Sequence, residues 1–499
     1  MAWNETRFLE AQQQLDALKA YVKEAAKEGH AIHIVEKHLW TSLLKIGLLL
    51  LQAFLQAAGD GDVGERLPLP DGRQLKRLKK PKRRRYLSVF GLLEIWRRVY
   101  GTREKQKHEA IPLDARLELP ENDTSYVLQE WDQSFCAQNP FEKSGDALKR
   151  VLGLRQSVAT LERMSESMGL DAEEFQRSQE PPLPEQEASF VVVTGDGKGV
   201  PMRRDAPAEP SEHEKTEVSN RPEEAEAPSQ SKNKKMAYVG AVYSIDPFVR
   251  SAKDILDETF RRKSQERQPS PKNKRLRAEL TLEVGGEVFD GKETLFRWLA
   301  QEVQSRNPDG RKKVVCLLDG EKALQTAADD HLPNHIDILD IMHALDKLWD
   351  AAHCFHKEKS KEAETFVEQR FQMLLEGKAG YVSGGLRQMA TKHALRGEKK
   401  KTLDKVTTYF GNNLHRMRYD EYLAAGYPIG TGVVEGACKN LVKDRMERSG
   451  MRWLKRGAQA ILNLRAVYLN DDWDTFCHRR IENESKRLYP YRSALPCLN

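Results

Sequence analysis

Three carboxylates stand out by their settings. Asp196 sits in Thr194-Gly195-Asp196-Gly197 after the apolar run Ser189-Phe190-Val191-Val192-Val193, and Asp319 sits in Asp319-Gly320 after Lys313-Val314-Val315-Cys316-Leu317-Leu318. Each is expected at the carboxyl end of a core strand, the edge of an α/β sheet where ligands bind. The following glycine lets the chain turn and lets a phosphate or metal approach the backbone. Glu435 lies in Gly430-Thr431-Gly432-Val433-Val434-Glu435-Gly436-Ala437-Cys438-Lys439, where Thr431 can act as N-cap and put Glu435 in a first helical turn. Singly, each has a plain explanation: Asp-Gly is a common turn, and a first-turn glutamate favours the helix dipole. The order of the three, two strand-end aspartates and a late helical glutamate, points to shared chemistry.

That chemistry is attack on a phosphodiester. Two Mg²⁺ (or Mn²⁺) ions roughly 4 Å apart activate a nucleophile and stabilise an alkoxide leaving group. Mg²⁺ prefers oxygen ligands and keeps several waters, so a few carboxylates suffice. Asp196 is expected to bridge both ions, with Asp319 and Glu435 each completing one site and the ions offsetting the acids' repulsion. Asp246, which also follows a core strand, is the alternative first acid. Asp340-Ile341-Met342-His343 follows the fifth expected strand. Asp340 and His343 either support the active site or contact the scissile strand; otherwise they are a helix N-cap and a satisfied interior histidine. The cluster His343, His353, Cys354 and His356 is too crowded for a structural zinc site, which favours spaced ligand pairs.

The elements that must hold these residues alternate between strand and helix. Strands are expected at 189–193, 237–245, 280–284, 313–318 and 336–340, with helices at 294–303 and 321–328. Three consecutive strands, then helix, strand, helix and strand, is the order of an RNase H-like mixed sheet in an α/β fold. Residues 1–180 read as an α-rich N-terminal module with a small β element around Tyr86–Trp96. Residues 185–343 form the first part of the core, 344–426 an all-helical insertion, 427–480 the closing catalytic-helix region, and 481–499 a tail. Within 203–235 there is no aromatic residue, and Val218 is the only large aliphatic side chain. Such a segment cannot offset its ordering entropy, and it reads as a disordered insertion between two strands.

Net charge is only +6, so the placement of charge is more informative than its sum. Lys76, Arg77, Lys79, Lys80, Lys82, Arg83, Arg84 and Arg85 put eight positive charges into ten residues, and a second basic stretch runs through Arg261, Arg262, Lys263, Lys272, Lys274, Arg275 and Arg277. Such runs fit a polyanion better than a small substrate, the alternative being a solvated loop. Beyond Glu435, Lys439 lies one turn on along the same face, able to contact a DNA phosphate or pair with the glutamate. Arg445, Arg448 and Arg452 are candidates to line a DNA path; Trp453 either stacks on a base or fills the core. The six cysteines show no pairing pattern. No signal peptide opens the chain, and Ile46–Leu55 is too short to span a bilayer. A reducing cytoplasmic setting at the bacterial nucleoid, with no membrane partner, is expected.

Several segments together resemble bacterial insertion-sequence transposases of the Kra type, related to Mutator-like and hAT-like enzymes. They are Pro112–Pro120, Gly195–Met202, Val239–Pro247, Leu318-Asp319-Gly320-Glu321, Asp340-Ile341-Met342-His343, Gly426–Lys439 and Gly450-Met451-Arg452-Trp453. The resemblance implies a DDE triad of Asp196, Asp319 and Glu435, with Asp340 and His343 as the aspartate-x-x-histidine element after the fifth strand. It implies binding of terminal inverted repeats, phosphodiester hydrolysis and joining of 3′-OH ends to target double-stranded DNA. Action on two ends implies a homodimer or higher oligomer. A nuclease without strand transfer and a catalytically silent DNA-binding regulator are the competing readings.

Overall fold

The chain divides into two units, Met1–Ser167 with Asp472–Asn499, and Met168–Asp471. The computed structural model describes residues 6–102, 109–203, 233–262, 269–332, 334–430 and 432–495.

The first unit opens with two helices, Thr6–Glu28 and Ile32–Ala57. Ala11, Leu18 and Ala25 are buried on the first, and Ile46 and Ala53 on the second, spaced in sevens as in a coiled-coil seam. Ile32–Ala57 is long and apolar enough to cross a membrane by length and composition, well beyond the Ile46–Leu55 run that stands out in the sequence. Five short strands follow: β1 (Arg66–Pro68), β2 (Gln74–Arg77), β3 (Lys82–Ser88), β4 (Gly91–Arg97) and β5 (Tyr100–Gly101). β1, β2 and β5 form one sheet, and β3 and β4 form a hairpin. The residues expected to form a tail pack here instead. Helix Trp473–Leu488 leads to Tyr489 and Tyr491, which join Leu67, Leu75 and Tyr100 in one core, and the Tyr489 hydroxyl donates to the Leu119 carbonyl at 2.6 Å.

The first basic run is therefore mostly strand, and period-two alternation sorts its side chains. Arg84 points inward, 8% exposed, onto Asp114 of helix Pro112–Leu117 at 3.1 Å. Arg97 reaches the same carboxylate at 2.5 Å, and Arg84 also donates to the Pro120 and Asn122 carbonyls. This corrects the expectation that Arg84 contacts DNA, because its guanidinium is spent on a buried ion cluster. Lys76, Arg77, Lys79, Lys80, Lys82, Arg83 and Arg85 stay exposed, with Arg77 beside Asp62 and Arg83 against Glu94 at 2.9 Å.

The second unit is built on a five-stranded sheet. Its strands are β6 (Phe190–Pro201), β7 (Lys234–Ile245), β8 (Lys272–Leu280), β11 (Lys313–Leu318) and β12 (His335–Leu339), while β9 (Leu282–Val284) and β10 (Glu287–Phe289) form a separate hairpin. The order is β12-β11-β6-β7-β8. β6, β11 and β12 are parallel; β7 is antiparallel to both β6 and β8. Alternating residues face opposite cores. Val192, Val315 and Leu317 meet helix Ile341–Phe355 and the helices after it. Val191, Val193, Val314, Cys316 and Leu318 meet helices Gly291–Arg306 and Lys322–His331.

Three expectations about these elements change. The third sheet strand is Lys272–Leu280, not 280–284. Its last two arginines are structural, with Arg275 paired to Glu302 at 3.0 Å and Arg277 1% exposed against Glu279 at 2.5 Å, while Lys272 and Lys274 stay exposed, Lys272 in a surface pair with Asp246 at 3.0 Å. β6 does not end at Gly195-Asp196-Gly197 but continues to Pro201, because β7 keeps pairing with it from Val239 back to Lys234. Lys234 and Lys235 thus belong to a strand; 204–232 lies outside the described residues, as does Thr431, the expected N-cap.

Breaking a buried ion cluster leaves uncompensated charge, so Asp114→Ala is expected to cost about 3–5 kcal/mol. The exposed Arg83→Ala should stay within about 0.5 kcal/mol. Urea unfolding followed by circular dichroism separates the two, and equal midpoints would reject the assignment of Arg84 to the interior.

Candidate active site

Strand register brings the acids together. Gly195 of β6 pairs with Leu318 of β11, and Leu318 with Leu339 of β12. The next position on each is Asp196, Asp319 and Asp340, three aspartates in one row where β11 and β12 end and β6 runs on beside β7. Asp196 and Asp319 share the parity of Val192 and Leu317, so both lie on the face covered by the helical segment after β12. Asp246 is at the other end of the sheet, following Ile245, which pairs with Phe190. It accepts hydrogen bonds from Ser189 and Lys272, about 23 Å of strand from Asp196. Of the two alternatives for the first acid, Asp196 is the one beside Asp319.

The fourth carboxylate arrives from far along the chain. Glu435 stands in the first turn of helix Gly432–Ala437. Its ligand oxygen, one from Asp340 and a ring nitrogen of His343 all lie within 4.8 Å of one another. Cys438, three residues on, forms a hydrogen bond with Asp196, tying the helix to β6; burial, then the Asp196 charge and that bond, pushes its thiol up and keeps it protonated. The chain is then π-helical over Cys438–Lys443. The buried Arg465 donates to the Leu441 carbonyl at 3.0 Å and to the Asn440 carbonyl, anchoring the π-helical turn. Burial lowers the Arg465 pKa to about 10, which leaves it charged.

Asp319 is held from behind. Arg416, fully buried, donates to the Asp319 carbonyl at 3.1 Å, to Asn413 at 3.1 Å and to the Asp337 carboxylate at 2.8 Å. Nothing in the sequence marks Arg416; it lies within helices that read only as an insertion. From the same segment, Tyr419 donates to the Leu339 carbonyl at 2.9 Å and Tyr422 to the Asp337 carbonyl at 3.3 Å. Tyr409 packs so closely on Gly320 that a Cβ there would run into its ring. The glycine after Asp319 is thus fixed by packing of the insertion. The Asp319 side chain accepts from the Glu321 amide at 2.9 Å. Its pKa is raised, chiefly by burial and further by the Asp196 charge, against the lowering effect of that amide and of His343 and Arg416.

The basic residues near the site separate clearly. Lys439 and Arg452 are exposed. Arg445 is fully buried, its guanidinium 4.8 Å from the centre of the Trp453 ring, which corrects the expectation that it contacts DNA. Trp453 itself is core: its indole donates to the Met446 carbonyl at 3.0 Å, and its backbone pairs beside Met202. The histidine-cysteine group does not gather, since Cys354 bonds to the Asp350 and Lys399 carbonyls while His353 stacks near Trp349 and His356 near Phe366.

The acid cluster has an electrostatic deficit. Among the described residues, no lysine or arginine forms a side-chain ion pair with Asp196, Asp319 or Glu435. Several oxygen donors and one imidazole converging without a cation of the chain's own is a donor set that fits hard divalent ions.

No protein-family model matches this chain, and no curated protein does. Among solved structures it is similar to the Drosophila P element transposase strand transfer complex, at 12% identity over 72% of this chain and 81% of that chain, with a TM-score of 0.23.

Positioning through Arg416 is testable. Arg416→Met removes the hydrogen bonds to the Asp319 carbonyl and Asp337 while keeping bulk, and is expected to weaken Mn²⁺ binding about tenfold or more. Cys438→Ser keeps a donor to Asp196 and should bind nearly as wild type, whereas Cys438→Val should not. Calorimetric titration with Mn²⁺ measures all three, and identical affinities would remove both residues from the site's support.

Proposed function

We propose that this chain is a DDE-type transposase whose five-stranded sheet is an RNase H-like core. It binds the ends of its insertion sequence, hydrolyses phosphodiesters and joins the 3′-OH ends to target DNA. The observation that carries this reading is the row Asp196–Asp319–Asp340 across three parallel strands, met by Glu435 from a helix that closes over the same edge. The sheet order supports it: three antiparallel-linked strands in sequence, followed by two parallel additions on the side of the first. The segments that resemble Kra-type transposases coincide with this edge, since four of them carry Asp196, Asp319, Asp340 and Glu435.

In this reading Asp196, Asp319 and Glu435 hold Mg²⁺ or Mn²⁺. When bound, two such ions activate the attacking hydroxyl and stabilise the leaving oxygen. The protein's own residues supply position. Arg416 and Tyr419 fix the strand ends, Cys438 orients the Asp196 carboxylate, and Asp340 and His343 support the edge beside them. Exposed Lys439 and Arg452 offer phosphate contacts near the site. In the first unit, the β3–β4 hairpin exposes Lys82, Arg83, Arg85 and Trp96 next to Lys76, Arg77, Lys79 and Lys80, a cationic surface suited to duplex DNA at the element ends. Two ends handled together call for a dimer or higher oligomer, working at the bacterial nucleoid.

Terminal-inverted-repeat DNA, a target plasmid and Mg²⁺ test the reading directly. Joined products that disappear in Asp319→Ala and on chelation support it. Cleavage without joining favours a nuclease, and binding with neither favours a regulator.

The raised Asp319 pKa adds a pH signature. A cation needs the carboxylate, so cleavage should climb with pH through a window above the ordinary aspartate range. Stability of the cation-free protein runs the opposite way. The native state favours protonated Asp319, so that contribution is full below the ordinary aspartate pKa and lost as pH rises through the raised one. Thermal melts across pH with and without Mn²⁺ should coincide at low pH and diverge as pH rises through the raised pKa; parallel curves would reject the shift.

A further inference from the structure

Asp340, His343 and Glu435 have a chemistry that a carboxylate triad lacks. Asp340 is fully buried; its amide donates to the Leu318 carbonyl at 3.0 Å, and one carboxylate oxygen caps helix Ile341–Phe355 at the Met342 amide, 2.6 Å away. His343 follows three residues later on the same helical face. Its ring has no hydrogen-bond partner among the described residues, although a half-buried imidazole ordinarily finds one. Glu435 comes from the closing helix, and the two segments are joined where the Ile341 amide donates to the Ile429 carbonyl at 2.9 Å. Ligand atoms within 4.8 Å of one another nearly match the about 4.2 Å between opposite ligands of an ion with bonds of about 2.1 Å.

We propose that Asp340, His343 and Glu435 form a mixed nitrogen–oxygen site for a divalent cation. The inference rests on the metal-dependent reading above and deepens it: one of the two ions is bound by an imidazole as well as by carboxylates. A nitrogen donor changes selectivity. Mg²⁺ takes oxygen ligands, whereas imidazole suits Mn²⁺ less than it suits later first-row ions but still binds it. The site should therefore take Mn²⁺ more tightly than Mg²⁺, and Co²⁺ more tightly still. It also bridges the helix that follows β12 to the closing helix, so occupancy links the two halves of the core.

The test is electron paramagnetic resonance of the full chain titrated with Mn²⁺, read by spin-echo modulation from ligand nitrogen. The expected spectrum shows directly bound imidazole nitrogen. That modulation should vanish in His343→Ala, with Mn²⁺ affinity at that site falling about tenfold or more, and should persist in Lys439→Ala, which leaves all ligands in place. Bound Mn²⁺ without nitrogen modulation in the wild type would overturn the nitrogen–oxygen site while leaving the carboxylate reading standing. No bound Mn²⁺ at all would overturn both. Should His343→Ala fail to fold, judged by its thermal melt, the wild-type spectrum alone decides.

Discussion

The constraint on which the second unit depends is repulsion among carboxylates at one sheet edge. Two unit charges about 5 Å apart cost about 3 kcal/mol at an effective dielectric near 20, and here Asp319 stands between Asp196 and Asp340 on neighbouring strands while Glu435 meets Asp340. A chain left to itself would splay such groups apart. This one resists through its backbone: the aspartates follow consecutive paired positions on three parallel strands, so separating them means unpairing a sheet buried on both faces. The raised pKa of Asp319 comes chiefly from its burial, and the Asp196 charge adds to it. A bound cation relieves the repulsion without giving up the charges.

The helices between Asp340 and Glu435 make that arrangement rigid. They contribute Arg416, Tyr419 and Tyr422, which donate to the carbonyls of Asp319, just past β11, and of Leu339 and Asp337 on the edge strand β12. Leu403, Val406, Phe410 and Tyr419 are buried in the same core as Leu317 and Ile338. The insertion is thus the scaffold of the strand ends. The π-helical turn after Glu435 does comparable work on the other side, with Arg465 anchoring it through two of its carbonyls. A buried guanidinium is costly to place, and this unit uses them repeatedly, at Arg277, Arg306, Arg416 and Arg465, where backbone or carboxylate acceptors need fixing.

The acids themselves were legible because their signal is local. Apolar runs such as Phe190–Val193 and Lys313–Leu318 announce strands, and an acid just past each implies an edge. What lay beyond local pattern was pairing. The Gly195-Asp196-Gly197 segment reads as a turn, yet it stays in strand because β7 continues opposite it, and glycine is tolerated there next to Met236. The segment from Lys272 to Arg277 reads as a polyanion surface, yet Glu302, distant in sequence, and Glu279 convert its two arginines into internal ties. Arg84 and Arg445 misled for the same reason: charge type is visible in a sequence, and the parity that turns a side chain inward depends on neighbours that are not.

That asymmetry bears on the proposed role of the edge. In that reading the edge needs bare acids, so the cations of its own chain must be kept from pairing with them. Here the nearby guanidinium groups are spent elsewhere: Arg416 on carbonyls and Asp337, Arg445 against Trp453, and Arg465 on the π-helical carbonyls. Each is buried and committed, so none can swing into the site when it is empty. His343 stands within reach of two of the acids, Asp340 and Glu435, and a neutral imidazole can ligate a metal ion where a guanidinium would displace one. The burial of arginine behind the edge and the placing of histidine at it are therefore two sides of one requirement, to hold negative charge together while leaving the positive partner to be supplied from solution.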